Sequence, residues 1–418
     1  MSVPSQNVLS VTPIPTLSDE VNSVRARTAK IVAEYIIPQE KVLAGYEGDE
    51  KRDSLREELR NHVREQKLWK PHLPAEYGGM GAGFLTLAYM KEIMAWSPFS
   101  SGCFGLVAPS AGNESVLAKY ATEEQREKWL LPSIRGEMQS CFSMTEPDNP
   151  GSDPRSLTTT AKLEGDEWVI NGRKWFTSNA KNADFAIVMC RTETDDGEGE
   201  GEGGVNSKMT QIIVPTDTAG FEHVRDIPVW GHTGHSHGEI VYNNVRVPKE
   251  NALGGRGTGH AAAQDRLGAG RVYHCMTSVG SMWRAFDLMV KRATERKVHG
   301  GLLEDKQFIQ GFIADSYMDI QASRLMTIHT AEVIESGQDP RTDISAIKVF
   351  VPNAFHRVVD RAIQVFGGIG VSTDYPLAGY YMAARTLRIA DGPDEVHKIL
   401  IAKNVLRKYH AGHSWDFG

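Results

Sequence analysis

The order of hydrophobic periodicities along the chain constrains its fold more than any single motif. From residue 18 to about 139, apolar residues recur every three or four positions between charges, as in 21–35 and 54–66, which is typical of amphipathic helices. Short β-branched and aromatic runs separated by Gly, Asn, Asp and Pro come next. Helical periodicity returns from residue 259 onward. The chain therefore reads as helices, then a small sheet, then helices again.

These changes predict an α+β multidomain protein, because 418 residues exceed what one ordinary core organises. The predicted domains are an N-terminal helical domain at 1–139, a middle antiparallel β domain at 140–252 and a C-terminal helical bundle at 253–418. The predicted strands cover 158–163, 167–170, 185–191, 210–214 and 239–247. The predicted C-terminal helices cover 262–295, 306–336, 344–366 and 393–409.

Composition argues against several classes of protein. Lys and Arg total 46 against 53 Asp and Glu, so the net charge of -7 offers no field that attracts nucleic acid or an anionic membrane. Four widely spaced cysteines favour a reducing compartment. No apolar run approaches the ~20 residues that span a bilayer. The first basic residue, Arg25, argues against an Arg-rich leader, so a cytoplasmic location is expected.

Two segments of the middle region are assigned no role. Residues 195–204 alternate acidic residues with Gly, which is typical of a solvated hairpin loop, and the spacing does not match a calcium site. His232, His235 and His237 form a cluster without a clear fourth ligand. We therefore expect loop histidines and no metal site.

A polar loop at 143–153, followed by a second segment at 171–178, is the first candidate site. The two segments concentrate hydroxyls and backbone amides, which bind phosphate or the polar edge of a ring, and Trp175 could stack on a flat cofactor. A plain surface turn beside a core Trp explains the same residues. The local sequence leaves both interpretations open.

The glycine-rich segment 364–370 is the second candidate. Its three glycines let a backbone or ligand approach closely. It follows a helical stretch and not a strand, so it is not a dinucleotide-binding strand–turn–helix motif. A helix C-terminus followed by a turn is the alternative.

The third candidate is the segment 388–397, where Gly392 suits a turn and Pro393 a first helical position. Asp394 and Glu395 would complement the positive end of the following helix. Asp391 is then either a further helix-capping acid or a carboxylate kept ionised just outside the helix, available as a base.

Together these segments resemble the acyl-CoA dehydrogenase family, in the same order and over nearly the whole chain. Their residues are most similar to the branch of family members ten and eleven. The segments that carry the resemblance are Met-Thr-Glu-Pro at 144–147, Trp-Phe-Thr at 175–177, Glu-Arg-Lys at 295–297, Gln-x-x-Gly-Gly at 364–368 and Ala-Asp-Gly-Pro-Asp-Glu at 390–395.

The resemblance implies an FAD cofactor and an acyl-CoA substrate. The implied FAD contacts are Phe142, Ser143, Met144, Thr145, Ser152, Trp175, Phe176, Thr177, Arg296, Gln307, Gln364, Val365, Phe366, Gly367, Gly368, Pro393, Asp394 and Glu395. The implied acyl-CoA contacts are Ser152, Arg271 and Gly392. Residues 364–368 would reach FAD from the neighbouring protomer, which implies a homodimer or homotetramer.

The resemblance also assigns the base of the reaction. Asp391 stands where most of the family has Glu, and Gly270 occupies the second base position used by some relatives. The implied reaction is α,β-dehydrogenation of the thioester in fatty acid β-oxidation, with hydride passing to flavin N5 and electrons to an electron-transfer flavoprotein.

Two other functions fit the same resemblance. Nitroalkane oxidases share this arrangement with an Asp base, so a flavin oxidase or monooxygenase is one alternative. A non-catalytic FAD-binding paralogue is the other, because Asp is one methylene shorter than Glu. Oxygen consumption would indicate the first, and a yellow protein that no acyl-CoA bleaches would indicate the second.

Overall fold

A computed structural model of the protein describes residues 9–193, 209–230 and 237–415. Segment 195–204, His232 and His235 lie outside these described residues. The chain forms two compact units. The first comprises Met1–Pro74, Gly79–Leu106 and Arg271–Gly418, and the second comprises Ala75–Gly78 and Val107–Gly270.

The helices lie in both units, and α9 begins in the second unit and ends in the first. In chain order they are α1 (Asp19–Lys30), α2 (Glu40–Leu43), α3 (Asp49–Glu65), α4 (Phe84–Met94), α5 (Ser100–Cys103), α6 (Ser110–Tyr120), α7 (Glu123–Gln125), α8 (Leu131–Arg135), α9 (Gly259–Glu295), α10 (Gln307–Glu335), α11 (Arg341–Phe366), α12 (Leu377–Leu387) and α13 (Asp394–His410). The four predicted C-terminal helices correspond to α9, α10, α11 and α13, so the helical periodicity there is confirmed.

The strands follow the same order along the chain. They are β1 (Ser140–Ser143), β2 (Thr160–Glu164), β3 (Glu167–Ser178), β4 (Phe185–Glu193), β5 (Met209–Pro215), β6 (Phe221–Asp226), β7 (His237–Pro248), β8 (Ala252–Leu253), β9 (Lys297–Val298) and β10 (Gly301–Leu302). The strands predicted from sequence correspond to β2, β3, β4, β5 and β7.

The first unit is helical and has its core where α9, α10, α11 and α12 meet. Val279, Ile320, Val351 and Leu377 are among the side chains that these helices bury together. Each helix contributes a stripe of apolar residues at three- and four-residue spacing, which is the pattern that the sequence shows. The helices thus bury one shared core.

One glycine permits close packing between α4 and α9 in this unit. A Cβ built on Gly280 would lie 1.8 Å from the Glu92 carbonyl oxygen. Because a backbone atom cannot swing aside, we expect Gly280→Ala to lower the free energy of unfolding by about 1–3 kcal/mol. Urea unfolding followed by circular dichroism measures this.

Gly311 on α10 provides the matched control. A Cβ there meets nothing within 4 Å, so Gly311→Ala is expected to raise stability, by up to about 1 kcal/mol. Equal effects of the two alanines would contradict the packing argument.

The second unit is built on a sheet with the strand order β6-β7-β3-β1-β4-β5-β8, and β2 pairs with β3 and β4. Most neighbours are antiparallel, but β1 and β2 each run parallel to β4. The predicted purely antiparallel sheet is therefore corrected to a mixed one. The cause is topological: β1 pairs beside β4 after the β2–β3 hairpin has intervened, and such parallel pairs require long connections that strand periodicity does not reveal.

Both faces of the central strands are covered in this unit. On β4, Val188 packs in a cluster with Ile170 and Ile240, while the adjacent Ile187 packs in a second cluster with Trp129. Successive side chains of a strand point to opposite faces, so a strand covered on both sides needs a continuous apolar run. This explains the uninterrupted apolar segment at 185–190.

None of the helices among the described residues combines the length and apolarity that crossing a membrane requires.

Candidate active site

A β-bulge in β3 displays two aromatic side chains of the second unit. Lys174 pairs with Ile240 and Thr177 with Gly238, so Trp175 and Phe176 oppose a single residue of β7. Phe176 has a φ of 49° and is exposed, an unusual conformation and placement for a bulky aromatic residue. Bulges of this kind re-aim side chains beside active sites. The second unit thus has a partly exposed aromatic surface.

Buried hydroxyls fix the strands on either side of this bulge. Ser143 Oγ lies 3.1 Å from Thr177 Oγ1 and accepts a hydrogen bond of 3.0 Å from the Tyr242 hydroxyl. Burial raises the pKa of Tyr242 well above its usual value, so the phenol stays protonated and remains a donor. The Thr145 hydroxyl donates to the Trp175 carbonyl at 2.9 Å, and the Trp175 amide donates to the Thr145 carbonyl at 3.0 Å. The predicted FAD contacts of β1 and β3 therefore form one cluster.

A buried ion pair holds the loop that carries Met144 and Thr145. Lys174 Nζ donates to Glu146 Oε1 at 2.9 Å and to the Met144 carbonyl at 2.7 Å, and both charged side chains are fully buried. Burial alone would raise the pKa of Glu146, but the Lys174 ammonium and the hydrogen bonds from the loop outweigh it and lower this pKa to about 2. Glu146 is therefore ionised at neutral pH.

The rest of this polar loop is wound around the same carboxylate. The Thr158 and Thr159 amides donate to Glu146 at 2.7 and 2.8 Å, and Asn149 donates to it at 2.6 Å. Ser152 lies in the exposed turn of the loop. The loop is thus ordered by its inner residues, while Ser152 faces outward.

The predicted base lies in a strained loop of the first unit. Asp391 has a φ of 56° and Gly392 a φ of 99°. Arg271 Nε donates to the Asp391 carbonyl at 2.9 Å, and the fully buried Lys348 ammonium donates to the carbonyls of Leu387 and Gly392. The N-cap position of α13 is Pro393, so Asp391 is not the capping residue.

The Asp391 carboxylate has a partner on α9. His274 Nε2 lies 3.2 Å from Asp391 Oδ2. His274 follows Arg271 by three residues, so both side chains project from one face of the helix. One helical face therefore contacts both the backbone and the carboxylate of Asp391.

His397 contacts the loop from its buried side. Its Nδ1 lies 3.1 Å from Ser345 Oγ and its Nε2 3.3 Å from the Asp391 carbonyl oxygen, and the ring is buried. Burial, with a smaller contribution from the Arg271 guanidinium, lowers the pKa of His397 from 6.5 to about 4. The ring is neutral at pH 7.

This shift predicts a loss of stability in acid. Because the folded pKa of His397 lies below its unfolded value, the stabilisation is complete above about pH 6.5 and is lost as the pH falls toward about 4. We expect about 2 kcal/mol of the free energy of unfolding to disappear between pH 7 and pH 5 from this residue. Urea unfolding at both pH values measures the difference, which should shrink in His397→Gln. In the exposed control His410→Gln the full difference should remain; a wild-type difference in His397→Gln would refute the assignment.

Asp394 is the predicted cofactor residue with the clearest unmet bonding capacity. Its Oδ2 accepts from Arg388 Nε at 2.9 Å and from Asn353 Nδ2 at 3.1 Å. Its Oδ1 is buried and has no hydrogen-bond partner within the described part of the chain. A bound group or a water molecule can supply the donor that this acceptor lacks.

The other predicted FAD contacts of the first unit lie at helix ends. Arg296 and Gln307 are exposed, at the end of α9 and the start of α10. Gln364, Gly367 and Gly368 are exposed at the end of α11, whereas Val365 and Phe366 are buried. Within this segment the exposed residues are therefore the better placed to meet a ligand.

The structure also reveals residues that sequence reasoning missed. They are Glu146 and Lys174 beneath the polar loop, and His274, Lys348 and His397 around the base loop. Only the three-residue spacing of Arg271 and His274 could have signalled a shared face. Residues 9–193, 209–230 and 237–415 contain no group of three His, Cys, Asp or Glu side chains suited to a metal ion.

Comparison with known proteins identifies the family. The profile of the acyl-CoA dehydrogenase N-terminal domain matches residues 18–137, that of the middle domain 141–245 and that of the C-terminal domain 257–406. The Mycobacterium tuberculosis protein named "Probable acyl-CoA dehydrogenase FadE2" is 40% identical over 84% of this chain and 86% of its own length. Acyl-CoA dehydrogenase family member 11 of Gallus gallus is 36% identical over 91% of this chain.

A solved structure agrees with these sequence matches. Butyryl-CoA dehydrogenase from Megasphaera elsdenii superposes with a TM-score of 0.79 at 26% identity, over 95% of this chain and 100% of its own. The chain spans about half the length of family member 11, at 50%.

The chain belongs to the acyl-CoA dehydrogenase family. It has that family's fold, as the sequence predicted, and its cofactor is FAD. The residues fit this cofactor: the bulge offers an aromatic surface for a flat ring, and the buried Asp394 Oδ1 lacks a donor.

Proposed function

We propose that this chain oxidises an acyl-CoA thioester to the 2-enoyl-CoA, with Asp391 removing the α-proton. The observation that carries the proposal is the Asp391 loop. Its backbone is held by Arg271, Lys348 and His397, and His274 Nε2 lies 3.2 Å from its carboxylate. A carboxylate whose position is restricted by several contacts is suited to proton transfer at a defined atom.

The chemistry explains why the reaction needs such a base. The α-C–H bond breaks, its proton goes to the Asp391 carboxylate, and the electron pair left behind forms the α,β double bond as the β-hydrogen departs with its own pair. FAD, when bound, supplies the acceptor at flavin N5 for that hydride. The chain's task is to hold the carboxylate ionised and aimed at the α-carbon.

The holders of cofactor and substrate follow from the predicted contacts. Phe142, Ser143, Met144 and Thr145 would line the flavin ring, and Trp175, Phe176 and Thr177 would flank it. The remaining proposed FAD contacts are Ser152, Arg296, Gln307, Gln364, Val365, Phe366, Gly367, Gly368, Pro393, Asp394 and Glu395. Ser152, Arg271 and Gly392 are proposed to contact the acyl-CoA.

The wider setting is part of the same proposal. We propose an electron-transfer flavoprotein as acceptor, a role in fatty acid β-oxidation, a homodimer or homotetramer in which 364–368 reach FAD of the neighbour, and a cytoplasmic location. The domain divisions after residues 139 and 252 are likewise proposed.

Anaerobic titration of the purified yellow protein with acyl-CoAs of different chain length and substitution tests the activity. We expect stoichiometric loss of flavin absorbance with at least one of them, and a 2-enoyl-CoA as product. Rapid oxygen consumption with the same substrate would favour the flavin oxidase alternative. Failure of every acyl-CoA to bleach the flavin would contradict the proposal and favour a non-catalytic FAD-binding protein.

A further inference from the structure

The carboxylate of Asp391 is short, and its reach depends on what holds it. Asp places its carboxylate one methylene nearer the backbone than Glu does, so the side chain cannot compensate for a displaced loop. Within the first unit, α9 contacts both ends of this residue: Arg271 Nε donates to its carbonyl at 2.9 Å, and His274 Nε2 lies 3.2 Å from its Oδ2.

We infer that His274 is a positioning residue for the Asp391 base, holding Oδ2 so that the carboxylate keeps one orientation during α-proton removal. This inference rests on the proposed function. His274 acts through Asp391 and is not itself assigned a contact with the substrate. In this role Nε2 carries its hydrogen and directs it at the carboxylate, and a hydrogen bond to an ionised acceptor is stronger than one to a neutral acceptor.

Exposure distinguishes this pair from the other contacts of the loop. The side chains of His274 and Asp391 are 41% and 25% exposed, whereas Lys348 and His397 are buried. Lys348 and His397 therefore belong to the fixed support of the loop. His274 lies at the open side, where it can orient the carboxylate without being part of the core.

The charged groups around the loop define the electrostatic setting of this pair. Arg271 on α9 and Lys348 on α11 place positive charge near Asp391, and Asp394 on α13 places negative charge near Lys348. His274 is half-exposed and faces Oδ2 itself, whereas Arg271 contacts the backbone carbonyl of the same residue.

Two amide substitutions separate positioning from mere packing. In His274→Gln the amide nitrogen can take the place of Nε2, so a donor to Oδ2 remains. In His274→Asn the amide nitrogen takes the place of Nδ1 and falls short of Oδ2. We expect His274→Asn to reduce the limiting rate of anaerobic flavin reduction about 10- to 100-fold, with a small change in KM. His274→Gln should restore the limiting rate to within about threefold of wild type.

A second readout does not use turnover. Unfolding midpoints of the full chain are measured for His274→Asn, Asp391→Asn and the double variant, and the two single effects should not add, because the residues share a contact. Strict additivity, or a wild-type limiting rate in His274→Asn, overturns the inference. In that case the wild-type enzyme is still bleached by acyl-CoA and only the role of His274 falls. If no acyl-CoA bleaches the wild type, the proposed function fails and this inference fails with it.

Discussion

Asp391→Asn should slow flavin reduction by acyl-CoA about 10³-fold at pH 7 to 8, because the amide cannot accept the α-proton. The substitution is close to isosteric. Asn tolerates the left-handed backbone found at this position, where φ is 56°, and its amide oxygen can still accept from His274. The loss is therefore expected in the limiting rate, measured by stopped-flow flavin absorbance under anaerobic conditions, while FAD content and KM stay close to wild type.

The same substitution at an exposed aspartate controls for a nonspecific effect. Asp374 lies between α11 and α12 in the same unit and is exposed. Asp374→Asn should reduce the flavin at the wild-type rate. Wild-type reduction in Asp391→Asn would remove Asp391 from the mechanism, and another base would have to be sought.

Lys174→Met should cost about 3–5 kcal/mol of stability, because it leaves the Glu146 carboxylate buried without its cation. The damage should reach the cofactor as well. Lys174 also holds the Met144 carbonyl, so the loop of proposed FAD contacts loses its internal anchor. We expect a lower urea midpoint and less FAD retained per chain after gel filtration.

An exposed ion pair in the same unit provides the matched control. Lys249 pairs with Asp166 at the surface, where both side chains are at least half exposed, so Lys249→Met should change stability by about 1 kcal/mol or less. Adding Glu146→Gln to Lys174→Met should restore part of the loss, since the unpaired charge is then removed. Equal effects of the two Lys→Met changes would show that the buried pair does not order the loop.

The long helices could be predicted from the sequence because their cause is local. The apolar stripes of α9, α10 and α11 repeat over many turns, and the bounds predicted for them differ little from those observed. β1, β6, β8, β9 and β10 were not predicted. β1, β8, β9 and β10 have only two to four residues each, and β6 (Phe221–Asp226) consists mostly of polar and charged residues. The parallel pairing of β1 with β4 depends on topology, which period-two alternation does not encode.

The candidate site, too, was only partly predictable from the sequence. Local reasoning at Asp391 left capping and catalysis open, and only the ordered resemblance to a family selected the base. The Glu146–Lys174 pair was not foreseen, because the residues lie 28 positions apart and burial of a charge has no sequence signal. His274 and Asp391 are 117 positions apart, with α10, α11 and α12 between them, so only the fold brings the two side chains together.

The left-handed backbone at Asp391 restricts how this position can evolve. Asp, Asn and Gly accept such a φ more readily than Glu does, so exchange for the longer acid requires the loop to change as well. Asn, by contrast, preserves the backbone and removes the charge. The easiest substitution at this position is thus the one that eliminates the proposed base and leaves the fold intact. Duplicated copies of such a gene can lose the proposed dehydrogenation in one step and persist as stable flavin-binding proteins.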